Sequence, residues 1–340
     1  MPPEPPTGRF RIGVLGAGGV GAAHVHAAAG AQGYEIAAIC DTHRPTAQAL
    51  AEAAAVPVYG DHRTMFAEAA LDAVVIAAPH ALHAPMTVEA ARAGLHVLVE
   101  KPMATTSEDC ALMERACAEA GTLLAVAHVI HFHPVVREAR SLIASGRYGE
   151  PLLITHRRSS HYEPGSRPPW FFDRAVAGGG IVLNVGTHGL DRIQLFADST
   201  VRRVSGVVRG RPGLEVETDA LALVELDNGI NASVALTSRG MPYFDETEVV
   251  LDEATLRISA TEGLFVLRDG QATCLLKAEP GHQRQAFKDQ LDGFVAAARG
   301  GSGAYVDGAY GRSVVAAALA VYASAELGQR VDVPAARVAP

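Results

Sequence analysis

Cysteine is scarce in this chain. Its 340 residues hold four, Cys40, Cys110, Cys117 and Cys274, with no C-x-x-C spacing. That excludes a disulfide framework, and the four read as small buried hydrophobes in a reducing compartment. Basic residues are outnumbered, 29 Lys and Arg against 37 Asp and Glu, for a net charge of −8. They are also scattered, which argues against a nucleic-acid partner. Only short pairs such as Arg157-Arg158 and Arg202-Arg203 break the pattern, and the second reads as a solvated strand face. No apolar run approaches the ~20 residues that a membrane helix needs. The opening residues 1–8 are proline-rich with one acid and no apolar stretch, a loose tail in place of a signal peptide. A soluble, cytoplasmic protein without a membrane partner is expected. Histidine is plentiful at 14, yet His128, His131 and His133 fit no familiar zinc spacing and no carboxylate or cysteine joins them. No metal is expected.

What the chain does have is apolar bulk. Hydrophobic residues make up 49% and charged ones 19%, enough for buried parallel strands and well short of disorder. A chain of this length is expected to divide into two domains. The most informative stretch runs from Phe10 to Asp41. After the apolar strand Ile12-Gly13-Val14-Leu15 comes Gly16-Ala17-Gly18-Gly19-Val20-Gly21, a G-x-G-x-x-G turn opening a small-residue helix. The first glycine permits the tight turn, the second lets backbone approach a pyrophosphate, and the third lets helix pack on strand. The helix that follows aims free N–H groups at the phosphates. Asp41 closes the next strand, Tyr34 to Cys40, where an acid accepts the ribose hydroxyls. Together these predict a dinucleotide site.

Strand and helix continue to alternate. Helices are expected over 45–55, 83–93 and 107–120, and strands over 71–77, 95–99 and 122–126. This is the pattern of a doubly wound parallel sheet. Beyond about His128 the period changes. A helix over 134–145 precedes strands at 151–160, 203–209, 218–226, 230–238 and 246–251, with shorter ones at 255–259, 264–267 and 273–276. Asp227-Asn228-Gly229 is a strong hairpin signal. Two helices, 283–299 and 312–326, close the chain. The expected division is a tail at 1–8, a Rossmann nucleotide-binding domain at 9–128, and a C-terminal α+β domain at 129–340 with a large, mostly antiparallel open sheet.

Two constellations carry chemistry. Glu100-Lys101-Pro102 follows the strand at 95–99 on its carboxyl end, the ligand side of an open α/β sheet. A lysine there sits near the nicotinamide ring of a bound cofactor, or it is an ordinary surface lysine. The second is the triple glycine 178–180 running into an apolar helix that carries Asn184 and His188. Four residues apart, they share one helical face. Asp191, three beyond, is placed to orient the imidazole. Burying these polar groups among Ile181, Leu183, Leu190 and Ile193 is costly unless they bind each other or a substrate.

As a set, Gly16 to Gly21, Pro79 with His83, Glu100-Lys101-Pro102 and the triple-glycine segment ending at His188 resemble the Gfo/Idh/MocA family of sugar and inositol dehydrogenases. Phe287, Leu291 and Phe294 on the penultimate helix agree with that likeness. The resemblance implies a cis Pro102, and homodimer or homotetramer contacts through the open face of the C-terminal sheet. It places the cofactor against Gly16, Gly18, Gly19, Val20, Gly21, Asp41, Pro79, His83, Glu100 and Lys101. Many members carry aspartate where this chain has Asn184. The amide keeps the hydrogen bonding but removes a negative charge beside Lys101 and His188, which disfavours their protonated forms.

The activity expected is reversible hydride transfer between a secondary alcohol carbon and nicotinamide. His188 serves as acid/base, since imidazole titrates near neutrality. Lys101 stabilises the reacting oxygen and Asn184 holds the two in place, although lysine and histidine can exchange roles. Asp41 favours NAD over NADP, with Arg44 near enough to soften the preference. Candidate substrate residues are His131, Arg157 or Arg158 (strand alternation lets only one face the cleft), His161, and Trp170 in a proline-rich loop. Two other readings compete. One is an enzyme that retains its NAD and uses transient oxidation for glycoside cleavage or elimination. The other is a nucleotide sensor without catalysis.

Overall fold

The computed structural model describes residues 8–238 and 243–334, so all of the expected tail but Gly8 lies outside the described residues. The first sheet is built from Phe10–Leu15 (β1), Tyr34–Cys40 (β2), Val58–Tyr59 (β3), Ala73–Ile76 (β4), His96–Glu100 (β5) and Leu124–Ala127 (β6). Helices Gly19–Ala28 (α1), Arg44–Ala54 (α2), His62–Glu68 (α3), His83–Arg92 (α4) and Ser107–Ala120 (α5) connect them. All pairings are parallel, and the order is β3-β2-β1-β4-β5-β6. Helices cover both faces, so β4 is buried at every position and reads as an unbroken apolar run. The strand order reverses between β1 and β4. The crevice this opens lies beside the glycine turn that follows β1.

The second half contains Pro134–Ala144 (α6), Pro151–Ser159 (β7), Arg174–Ala177 (α7), Thr187–Ala197 (α8), Val201–Gly210 (β8) and Glu217–Leu226 (β9). It continues with Asn231–Thr237 (β10), Phe244–Leu251 (β11), Thr255–Ser259 (β12), Gly263–Arg268 (β13), Gln271–Lys277 (β14), His282–Ala298 (α9), Gly308–Leu327 (α10) and Val331–Asp332 (β15). These nine strands form one sheet, ordered β14-β13-β12-β11-β7-β10-β9-β8-β15. The β7–β10 pair is parallel and the other pairs are antiparallel. The hairpin at Asp227-Asn228-Gly229 joins β9 to β10, with Gly229 at φ 88° and Glu225 opposite Asn231. One face packs on α6, α8 and α10 in a continuous core. The other is open: Val207, Leu221 and Leu223 are 63%, 59% and 68% exposed, while Ala220, Ala222 and Val224 between them are buried.

α9 does not stay with the second sheet. Its Phe287, Leu291, Phe294 and Val295 join the core cluster that includes Leu98, Ala125 and Ala127, and α9 packs on α1. Tyr34 donates to Asp292 across the junction at 2.8 Å. The 128/129 boundary expected from sequence is therefore crossed again by the returning chain. α10 begins at Gly308, earlier than its apolar pattern suggests, because the Asp307 side chain accepts from the Tyr310 N–H at 2.8 Å and caps it. Three cysteines are buried as expected, but Cys274 is exposed, since β14 is an edge strand with little packed on it. Among the described residues no helix is long and apolar enough to cross a membrane.

Candidate active site

The glycine turn is shaped by close backbone approach on one side and left open on the other. A Cβ on Gly16, at φ 96°, would lie 2.3 Å from the Ala77 carbonyl oxygen, and one on Gly21 would lie 1.9 Å from that of Gly16. Around Gly18 and Gly19 a Cβ would meet nothing within 4 Å. α1 starts there with no side chain capping it, so its first N–H groups face that space. This is a cradle of the kind a pyrophosphate fills. The Asp41 carboxylate accepts from the N–H of Ala17 and from that of His43, both at 2.7 Å. It thus pins the turn to the end of β2. The donor set and the open space around Gly18 and Gly19 fit a dinucleotide.

Lys101 leaves the carboxyl end of β5 through a cis peptide bond to Pro102, as the resemblance implied. Its ammonium donates to the main-chain oxygen of Asn184 at 2.9 Å and to the side-chain oxygen at 3.5 Å. Burial pushes Lys101 down to about 8; Glu100 opposes the shift, while Arg158 and Arg167 add to it. Glu100 is itself committed. One oxygen lies 2.9 Å from the buried His24 imidazole, and the other accepts from the Lys101 N–H at 3.2 Å. It shapes the lysine turn from behind.

His83 departs from expectation. Its ring is fully buried, with Nδ1 2.9 Å from the Pro102 oxygen and Nε2 2.8 Å from that of Ala78. A side chain so enclosed clasps the Lys101-Pro102 turn to the loop after β4 and has no surface left for a nucleotide. Pro79 lies in that loop, next to His80, which donates from Nδ1 to the Ala177 oxygen at 2.9 Å.

The segment carrying Asn184 and His188 is not a plain α-helix. Val182–Gly186 is a π-turn that runs into α8, a distortion that recurs at functional sites. It is set up from outside the segment. The buried Glu217 carboxylate accepts from the N–H groups of Gly180 and Val182 and from the Tyr322 hydroxyl, which in turn accepts from the Leu183 N–H. Glycine is required because a Cβ at 180 would fall 2.1 Å from the main-chain oxygen of Glu217, and one at 179 would fall 2.2 Å from the Tyr322 hydroxyl. Asn184 is buried, with its Nδ2 unpaired among the described residues. His188 is half-buried. Burial, with Lys101, Arg158 and Arg192 nearby, holds its pKa well below the usual value, so the imidazole is neutral.

Asp191 does not orient His188. Its carboxylate faces His131 at 2.6 Å, His128 at 3.2 Å and the Tyr310 hydroxyl at 2.9 Å. In α8 a residue three beyond His188 lies on the same side of the helix in projection, but β6 and α10 reach it first. The same contacts redirect His131, which lines a separate surface cavity of about 380 Å³ with Arg140 and Tyr310. Arg157 is also a correction. Alternation on β7 puts it on the open sheet face, its guanidinium 4.2 Å over the Phe244 ring, while Arg158 turns toward the helices. His161 is exposed and lies 3.1 Å from Glu163. Trp170 stacks on Phe171 at 3.8 Å and meets His80 edge-on, so one indole face is already taken.

Sequence reasoning missed Glu217, Tyr322, Arg167 and Asp245. Only Asp245 had an indirect signal, since strand register sets it opposite Arg158. There it binds Arg158 at 3.4 Å and the buried Arg192 through both oxygens. Among the described residues no group of three His, Cys, Asp or Glu side chains is placed to hold a metal ion.

A 3-2-1-4-5-6 parallel sheet with an open glycine cradle and an acid at the second strand defines a dinucleotide-binding protein. Residues 10–128 match the model of the oxidoreductase family with an NAD-binding Rossmann fold, and residues 136–263 match the GFO/IDH/MocA C-terminal domain. The chain belongs to the Gfo/Idh/MocA family and is an NAD(P)-dependent dehydrogenase acting on CH–OH groups. It is 29% identical over 330 residues to D-xylose 1-dehydrogenase (NADP(+)) 2 of Haloferax volcanii, covering 94% of this chain and 99% of that one. It is 37% identical over 207 residues to 1-carboxy-3-chloro-3,4-dihydroxycyclohexa-1,5-diene dehydrogenase of Comamonas testosteroni, covering 60% of this chain and 51% of the other. Levoglucosan dehydrogenase in complex with NADH superposes with a TM-score of 0.87, over 96% of this chain and all (100%) of that one, and at 21% identity the likeness is one of fold.

Proposed function

We propose that the protein oxidises, reversibly, a secondary alcohol of a sugar, sugar derivative or cyclitol, with NAD as its preferred cofactor. The observation that supports this reading is the hydrogen bond from Lys101, at the carboxyl end of β5, to Asn184, with His188 following Asn184 where the π-turn runs into α8. The relatives named above, one a xylose dehydrogenase and one a dehydrogenase of a carboxylated diol, support the substrate class.

Gly16 to Gly21 would hold the pyrophosphate and Asp41 the adenosine ribose, with Pro79, Glu100 and Lys101 shaping the nicotinamide end. When bound, the nicotinamide supplies the hydride acceptor. In the oxidation direction the neutral His188 imidazole takes the hydroxyl proton, leaving a carbonyl where the secondary alcohol stood. Lys101 donates a hydrogen bond to the oxygen as negative charge develops on it. Asn184 accepts from that ammonium and fixes its direction. The lowered Lys101 pKa keeps a second proton carrier near neutrality, which favours an exchange of roles as the runner-up. The open face of the nine-stranded sheet, with Leu153, Val207, Leu221 and Leu223, is proposed as the contact between copies of the chain.

A panel of sugars, inositols, amino sugars and sugar acids, scored by accumulation of NADH, tests the reading. His188→Ala is expected to lower kcat about 100-fold or more with NADH affinity, from fluorescence titration, nearly intact. Loss of affinity with kcat unchanged would remove His188 from proton transfer. Turnover without any accumulation of NADH would point instead to a retained cofactor.

A further inference from the structure

The site holds more positive charge than the protein neutralises. Arg158, on β7, shares its face with His156, whose ring packs on Gly189 next to His188. Its Nη1 lies 3.4 Å from Asp245 Oδ2. That carboxylate also binds both terminal nitrogens of Arg192, one turn beyond His188, and accepts from the Tyr243 hydroxyl at 3.2 Å. One acid therefore serves two guanidinium groups, and Arg158 Nε is buried without a partner.

Arg167 is left with less. Its guanidinium lies 5.0 Å from the Tyr162 ring centre and 5.4 Å from that of Phe171, its Nε is buried and unpaired, and among the described residues no carboxylate meets it. Both guanidinium groups are near enough to Lys101 to disfavour its charge. Glu100 and Glu217 offer no relief, since His24 holds the first while backbone N–H groups and Tyr322 hold the second. Desolvated cations are costly unless an anion meets them, and the planar guanidinium fork matches a carboxylate best.

We propose that the substrate carries a carboxylate, received by Arg158 and Arg167 while Lys101 and His188 address the hydroxyl to be oxidised. This rests on the dehydrogenase reading and narrows it to acidic sugars or cyclitols. The cofactor is not the missing anion, because its phosphates belong at the glycine cradle after β1 and not at the lysine turn after β5. Asn184 is consistent with this assignment. Where an aspartate would bring its own charge, the amide leaves room for one carried by the substrate. Bound near Arg158, that charge also offsets part of the field that makes His188 a weak base.

The test is calorimetric binding to the NADH-saturated protein of matched probes: quinate against myo-inositol, gluconate against glucitol, and glucuronate against glucose. Each acid is expected to bind at least about tenfold tighter than its neutral partner, a contribution of about 1.4 kcal/mol. In Arg167→Gln the preference falls below about threefold, and Arg167→Lys retains part of it. NADH affinity unchanged in both variants shows that the fold survives. Equal affinities in the wild type, no binding of any acid, or a preference that persists in both Arg167→Gln and Arg158→Gln overturns the proposal. So does tighter binding of glucose 6-phosphate than of glucuronate. NADH formation is scored separately. Acids that bind but are never oxidised count against the dehydrogenase reading alone, whereas better turnover of neutral sugars counts against the carboxylate.

Discussion

The ammonium of Lys101 donates to the main-chain oxygen of Asn184 at 2.9 Å and sits 3.5 Å from its side-chain oxygen. One bonded pair thus ties the turn after β5 of the first sheet to the π-turn of the second half. The charge of that pair is set by an amide.

Asn184→Asp places an anion beside Lys101 and His188. An opposite charge favours the protonated form, so both pKa values rise, that of Lys101 from about 8. Since the base must be unprotonated for oxidation, the acid limb of kcat/KM moves to higher pH, with the loss of activity confined to the acid side of neutrality, because the His188 imidazole starts well below its usual pKa. A pH–rate profile identical to the wild type would remove Asn184 from the electrostatics of the site.

Asp41→Asn keeps an acceptor for the Ala17 N–H but removes the charge. NAD affinity is expected to fall about tenfold, and discrimination against NADP to relax as repulsion of a 2′-phosphate is lost. Titration with both cofactors checks it, and an unchanged ratio would exclude Asp41 from the ribose site.

Gly18→Ala and Gly21→Ala separate binding from folding. The first adds a methyl to open space; the second drives one to 1.9 Å from the Gly16 oxygen. Gly18→Ala should leave stability within about 0.5 kcal/mol while weakening NAD. Gly21→Ala should cost roughly 1–3 kcal/mol in denaturant unfolding. Equal stability of the two variants would contradict the packing described.

Asp191→Asn tests the buried cluster with His128, His131 and Tyr310. Burial opposes ionisation of Asp191, but the facing histidines more than offset it, so its carboxyl stays ionised far below the usual range. A folded-state pKa depressed in this way stabilises the protein above the unfolded value near 4 and ceases to do so as pH falls through the folded value. The variant is expected to be about 3 kcal/mol less stable at pH 7, and the gap to narrow below about pH 4. A gap independent of pH would mean that packing, and not charge, is lost.

Local pattern made the first sheet readable. β2 and α5 fall on the expected residues because an apolar run and a capped periodic stretch are properties of neighbours in sequence. β3, α3 and β15 were missed, since two to seven residues carry too little period. At the site, Lys101 and the glycine turn were legible from strand ends and spacing. Glu217 and Tyr322 were not, because what makes them matter is 37 and 139 residues of separation from their partners. Asp191 misled for the same reason: its nearness to His188 in sequence says nothing of the histidines that β6 brings to it.

The return of α9 has a consequence for how the molecule is made. α1 and the residues just after β6 are translated long before α9, whose Phe287 and Leu291 complete the core they share. Until synthesis has passed residue 298, the nucleotide-binding domain carries a bare greasy flank, so it cannot mature while the rest is still emerging. A fragment ending near residue 128 would bear that flank permanently and self-associate, although the glycine turn, Asp41 and Lys101 all lie within it.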